Sequence, residues 1–313
     1  MKITINSPLD MHLHLRQGDM LKQVLPFSTA HFAGAVIMPN LVSPVDDKQK
    51  LLAYRKEIES ACRSCGSQRF TPYMTLFFRT YSRKELEEIR DDIIGVKLYP
   101  AGVTTQSESG VADFSQIEET LSHMQDLEIP LLVHGESNGF VLDREREFLS
   151  TFEHIATNFP RLHIIMEHIT SADSVDFLDR YENVSATVTV HHLMITLDDV
   201  IGDLMEPDLF CKPIAKTPRD REALTGAVFS GHKKLMFGSD SAPHPRHKKE
   251  CCGCAAGVFS APVAVPLLAQ LFDGAGRLDL LQDFVSGIAR KRYNIDPPEK
   301  TITLESTPFR VPA

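Results

Sequence analysis

Two histidines, His12 and His14, sit in Asp10-Met-His-Leu-His-Leu-Arg16 close to the N-terminus. In an extended strand, side chains alternate faces, so both imidazoles project the same way as a ready pair of metal ligands. The pair can also be read as two ordinary histidines on a strand face. Four further residues lift the first reading. They are Lys97 in Gly95-Val-Lys-Leu-Tyr-Pro100, His134 in Leu131-Leu-Val-His-Gly-Glu136, His168 in Met166-Glu-His-Ile-Thr170 and Asp240 in Phe237-Gly-Ser-Asp-Ser-Ala-Pro-His244. Four histidines and a carboxylate exceed the three protein ligands of an ordinary catalytic zinc, which points to two metal ions.

Lys97 is the odd member, because an ammonium beside two dications is repelled and the neutral amine is favoured. That amine can react with CO2 to give a carbamate, an anion able to bridge both ions. The other reading is a lysine that pairs with a carboxylate or binds substrate. Two zinc ions about 3.5–4 Å apart would share a hydroxide, lower its pKa and aim it at a carbonyl. Asp240 would then accept the hydroxide's proton and pass it to a leaving nitrogen.

Residues so far apart in sequence need a scaffold that gathers them. Eight short apolar runs, at 3–15, 34–40, 70–78, 93–99, 130–136, 162–169, 184–190 and 234–240, are mostly continuous, as strands covered on both sides must be. Between them lie stretches of helical character, among them 48–60, 83–92, 114–127 and 144–158. Strand and helix in alternation predict a parallel sheet, and eight repeats of the unit predict a closed (β/α)8 barrel of the TIM type. The first strand ends in His12 and His14, the fourth carries Lys97, and the fifth, sixth and eighth end in His134, His168 and Asp240. In such a barrel the C-terminal strand ends surround one mouth, where a binuclear metal site would form. No Gly-x-Gly-x-x-Gly follows the first strand, which argues against a dinucleotide fold.

The chain has 313 residues, 42% of them hydrophobic, enough for a large core. No linker or internal repeat interrupts it, so residues 1–313 read as one domain with a short, proline-interrupted tail at 297–313. A net charge of -9 argues against nucleic acid and anionic membranes as partners. There is no membrane-length apolar run and no signal-peptide pattern, so the expected location is cytoplasmic. The six cysteines read as free thiols; a structural metal at Cys251-Cys252-Gly253-Cys254 would lack a clear fourth ligand.

The motifs around these residues, together with Met38-Pro-Asn40, resemble the amidohydrolase superfamily, and within it the short bacterial dihydroorotases. They run in family order across nearly the whole chain. The resemblance implies a zinc-dependent cyclic amidohydrolase that interconverts N-carbamoyl-L-aspartate and L-dihydroorotate in pyrimidine synthesis. It implies that His12, His14 and Asp240 bind one zinc, that His134 and His168 bind the other, and that N6-carboxylated Lys97 bridges them. Arg16, Asn40 and His244 would hold the substrate carboxylate. A planar guanidinium suits Arg16 to that task independently; Asn40 can otherwise be read as a turn residue after Pro39.

By the same resemblance a backbone amide near Ala256 meets the carboxylate, and Thr104 and Thr105 lie on a mobile loop that touches substrate. The plainer reading of that loop is a polar surface segment. A homodimer is expected on the same ground. Family members commonly continue a few tens of residues further, with a closing apolar strand against the N-terminal segment. His191 and His192 match no family ligand and are assigned to packing or to support of the ligands. The alternatives are a relative acting on hydantoin, dihydropyrimidine or allantoin, and a metal-free scaffold, which should lack some ligands.

Overall fold

The computed structural model describes residues 2–67, 69–102, 110–111 and 116–307. A short strand β1 (Lys2–Asn6) precedes β2 (Leu9–Leu13), β3 (Gly34–Ile37), β4 (Thr71–Phe77), β5 (Gly95–Leu98), β6 (Leu131–Val133), β7 (Ile164–Met166), β8 (Val184–Val188) and β9 (Leu235–Phe237). Strands β2 to β9 pair in sequence order, each parallel to the next. The ring closes between β9 and β2, where Asp240 N–H donates to His12 O (2.9 Å) and His14 N–H to Ser241 O (3.2 Å). This is the expected (β/α)8 barrel.

The crossovers carry α1 (Gly18–His31), α2 (Lys48–Ser64), α3 (Arg83–Ile89), α4 (Glu118–Asp126), α5 (Arg144–Asn158) and α6 (Ala172–Leu178). Three helices, α7 (Val190–Met194), α8 (Leu197–Ile201) and α9 (Pro218–Phe229), separate β8 from β9. Local chemistry sets their ends. Ser82 and Glu85 form a capping box at the start of α3, as Thr217 and Asp220 do before α9. The buried face of α2 is Leu51, Tyr54, Ile58 and Cys62, a helical spacing that packs on the sheet.

The structure revises four of the expected segments. The apolar run at 3–15 is two strands, broken at Ser7 and Pro8 before the barrel begins. Helix α2 continues to Ser64, and the 83–92 helix tightens into a 3-10 turn at Arg90–Asp92. The segment read as a tail contains β10 (Thr301–Glu305), antiparallel to β1 with Lys2 opposite Glu305 and Asn6 opposite Thr301. Its Ile302 and Leu304 pack on the core beside Ile5, which alternation in the run Thr-Ile-Thr-Leu-Glu places on one face. Thr104 and Thr105 lie outside the described residues. Among those residues no helix is long and apolar enough to cross a membrane.

Candidate metal centre

Period-two alternation decides which side chains enter the barrel. Ala35, Ile37, Val96, Leu98, Leu131 and Val133 pack outward against the helices. The residues between them, Val36 and Leu132, join Leu9, Met11, Ile165 and Met236 as an inner layer. The same phase sends Lys97 inward on β5, opposite Phe77 and Leu132. His134 and Asp240 lie two and four residues beyond the inward Leu132 and Met236. On β2 the pairing register slips between Asp10 and Leu13. That irregularity re-phases the strand, so Leu13 and Leu15 join the outer core while His12 and His14 turn to the mouth.

The four histidines, Lys97 and Asp240 are all buried and meet at the C-terminal ends of the strands. Asp240 Oδ1 stands 3.1 Å from His14 Nε2 and 3.5 Å from His12 Nε2. His134 Nδ1 faces His168 Nε2 at 3.2 Å. The opposite nitrogens of two rings are fixed by carboxylates: His12 Nδ1 by Glu167 (2.6 Å) and His134 Nε2 by Glu136 (2.7 Å). Each ring therefore keeps an unprotonated nitrogen aimed at the centre, the arrangement of a metal-ligating histidine. Thr187 Oγ–H donates to Glu167 (2.7 Å) and accepts from His168 N–H (2.7 Å), tying β7 to β8.

Protonation matches ligation. Burial pushes His14 down to about 3, and lowers His134 and His168 as well. Neutral imidazoles bind metal and imidazoliums do not. Burial opposes ionisation of Asp240, yet the His14 hydrogen bond and the surrounding histidines hold its carboxyl well below the usual range. Lys97 Nζ is buried with no hydrogen-bond partner, 5.0 Å from the Tyr99 ring centre. Burial brings its amine down to about 8 against the pull of Glu167 and Asp240. An unpartnered buried amine is costly unless something joins it. The donor set fits a pair of divalent cations: neutral nitrogens, a carboxylate, and a lysine waiting for a substituent.

Three residues of the site hold left-handed backbone without being glycine: Arg16 (φ 59°), His168 (φ 41°) and Asp240 (φ 43°). Such strain persists only where the surroundings enforce it. For Asp240 the clamp is Asp10, whose carboxylate accepts from Ser239 N–H (2.7 Å), Ser239 Oγ–H (2.6 Å) and His12 N–H (3.2 Å). Burial nevertheless holds Asp10 up at about 6.

For His168 the clamp is Glu145, at the start of α5. It accepts from Thr170 N–H and Ser171 N–H (3.0 Å each), from the hydroxyls of Thr170, Ser171 and Ser174, and from Lys216 Nζ (3.3 Å). Burial alone would raise this carboxyl, but Lys216 and the hydroxyls outweigh it and set it at about 2. Its folded value lies below the ordinary 4.5. The stability it contributes is therefore present above that value and fades as pH falls towards 2. Glu145→Ala, which strands Lys216, should cost about 3–5 kcal/mol in urea unfolding at neutral pH. The difference from wild type should shrink in acid; an equal cost at both pH values would contradict the ion pair.

Of the expected substrate contacts, Arg16 and His244 meet: Nη2 is 3.1 Å from His244 Nε2, and Nε–H donates to Pro243 O (3.2 Å). His244 Nε2 also lies 3.0 Å from the carbonyl oxygen of Ala256, so Ala256 reaches this group through its carbonyl. Asn40 is buried at the end of the inward layer of β3. Sequence reasoning assigned no role to Asp10, Glu136, Glu167, Thr187 or Glu145. A signal existed for three of them: Asp10 and Glu136 lie two residues from ligands, and Glu167 is adjacent to one. All six cysteines are free.

With this geometry in place, the likeness to known proteins decides the family. The amidohydrolase family model matches residues 8–297. The chain belongs to the amidohydrolase family. A dihydroorotase of Helicobacter hepaticus is 45% identical over 99% of this chain and 91% of its own. The structure of a Campylobacter jejuni dihydroorotase superposes with a TM-score of 0.94 at 51% identity, covering 99% of this chain and 90% of that one. A Saccharomyces cerevisiae dihydroorotase, solved with 5-fluoroorotic acid, gives 0.88 at 35% identity, over 94% and 86%. Within the amidohydrolases this chain therefore stands among the dihydroorotases, as a cyclic amide hydrolase. Amidohydrolases of this group are metal-dependent, and His12, His14 and Asp240 form one of the chain's potential metal-binding groups.

Proposed function

We propose that this chain interconverts L-dihydroorotate and N-carbamoyl-L-aspartate. In this reading His12, His14 and Asp240 hold one zinc, His134 and His168 the other, and N6-carboxylated Lys97 joins them. When bound, the two cations would polarise the scissile carbonyl and lower the pKa of the attacking water. Glu167 and Glu136 hold His12 and His134 in the tautomers that ligation needs.

The observation that carries the reading is Arg16. It is strained, partly buried and paired with His244, and it feels the field of Asp240. A guanidinium at the rim of a carbonyl-activating site fits a ring that bears a carboxylate. Arg16, Asn40 and His244 orient that carboxylate, aided by the segment at Ala256 and by Thr104 and Thr105. In hydrolysis Asp240 takes a proton from the attacking water and delivers it to the departing ring nitrogen. In synthesis Asp240 takes the proton of the ureido nitrogen as that nitrogen attacks the carboxylate carbon, and returns it to the carboxylate oxygen, which leaves as hydroxide and takes its second proton from solvent. A cytoplasmic location and a homodimer belong to the same reading, supported by the family resemblance.

Arg16→Met tests the substrate assignment. Losing a charged hydrogen-bond pair should cost about 1.5–3 kcal/mol, roughly 10- to 150-fold in kcat/KM for dihydroorotate. Turnover of dihydrouracil, the same ring without its carboxylate, should not fall. A parallel loss on both rings would place Arg16 in the fold rather than on the substrate.

A further inference from the structure

Close to the catalytic histidines lies a second group of metal-capable side chains that the reaction does not use. Helix α7 begins at the rim of β8 and carries His191 and His192 side by side, ring centres 4.5 Å apart. Cys211 arrives from the segment before α9, its Sγ 3.6 Å from His192 Nε2. All three are buried, and their ligand atoms lie within 4.8 Å of one another. Neither ring nitrogen of His191 has a hydrogen-bond partner, although the residue is 5% exposed. A buried imidazole with both nitrogens unmatched costs free energy unless a ligand completes it. His192 is better placed: Nδ1 stands 2.8 Å from Thr189 Oγ1, while Nε2 and Cys211 Sγ share the carbonyl of Pro213 at 3.1 and 3.3 Å.

We propose that His191, His192 and Cys211 form a third metal site, selective for a borderline-soft divalent ion such as zinc. Two imidazoles and a thiolate are a zinc-type donor set, softer than the nitrogen and oxygen donors of the catalytic pair. Burial keeps the Cys211 thiol protonated, at about 12, so binding releases that proton to solvent. His192 moves its proton from Nε2 to Nδ1, where Thr189 Oγ1 accepts it and fixes the ring. Three protein ligands leave one position open. The site stands whether or not the chain acts on dihydroorotate.

Cobalt reports on it separately from the catalytic pair, which contains no sulfur. The metal-free full chain, reloaded with excess Co2+, should show a near-ultraviolet thiolate-to-cobalt charge-transfer band. Metal analysis should find one ion more than the catalytic pair. Cys211→Ser should abolish the band, and both Cys211→Ser and His191→Leu should lower the metal content by one ion. His191→Leu removes the unmatched nitrogens, so the apo chain should melt no earlier than wild type and a missing ion cannot be put down to misfolding. No band, or a metal count unchanged in either variant, would overturn the proposal. So would a band that survives Cys211→Ser, which would assign the sulfur to the exposed Cys251 and Cys252.

Discussion

Lys97→Met should separate stability from activity. Methionine matches the lysine stem in length and removes an amine that is buried without a partner. The apo protein should melt at the same temperature as wild type or above it, because an unsatisfied polar group is replaced by an apolar one. Catalysis should collapse. Without the carbamate proposed for Lys97, nothing anionic would join the two ligand groups, so the purified variant should hold less metal. Turnover should drop roughly 10³-fold or more, since metal stabilisation of developing charge is worth several kcal/mol. The structural alternative, a lysine held by a carboxylate, predicts the reverse: a clear loss of stability with metal retained. Melting and metal analysis on one preparation distinguish them.

Asp240→Asn isolates the proton transfer. Asparagine tolerates the left-handed backbone found at this position, where alanine would add strain. It keeps an oxygen for ligation but cannot take a proton at neutral pH. At matched metal content, kcat should fall by about 10²–10⁴, the usual span for a positioned general acid–base. KM should move little, because Arg16 and His244, the residues proposed to hold the substrate carboxylate, are untouched. A variant that keeps its kcat would remove Asp240 from the proton path.

Much of this was legible in the chain because parallel strands are buried on both faces. Their continuous apolar runs mark eight strands, and a polar residue at the end of such a run has little place except the mouth. His12, His14, Lys97, His134, His168 and Asp240 could be read in that way. Other features depend on contacts between distant segments. The register slip in β2 follows from pairing with β3, and no residue in Met-His-Leu announces it. Glu145 looks like any acidic residue in the first turn of a helix. Only the fold brings it under Thr170, Ser171 and Lys216. β10 was hidden by its polar residues and by the prolines that precede it, Pro297 and Pro298, since half its face stays exposed against β1.

The most direct measurement is the hydrolysis of L-dihydroorotate, followed by loss of its ultraviolet absorbance, beside dihydrouracil on the same zinc-loaded wild type. A site that holds the carboxylate through Arg16 and His244 should favour dihydroorotate in kcat/KM by on the order of 10⁴, because the unsubstituted ring leaves buried charge unpaired. Equal turnover of both rings, or none of either at full metal content, would contradict the account.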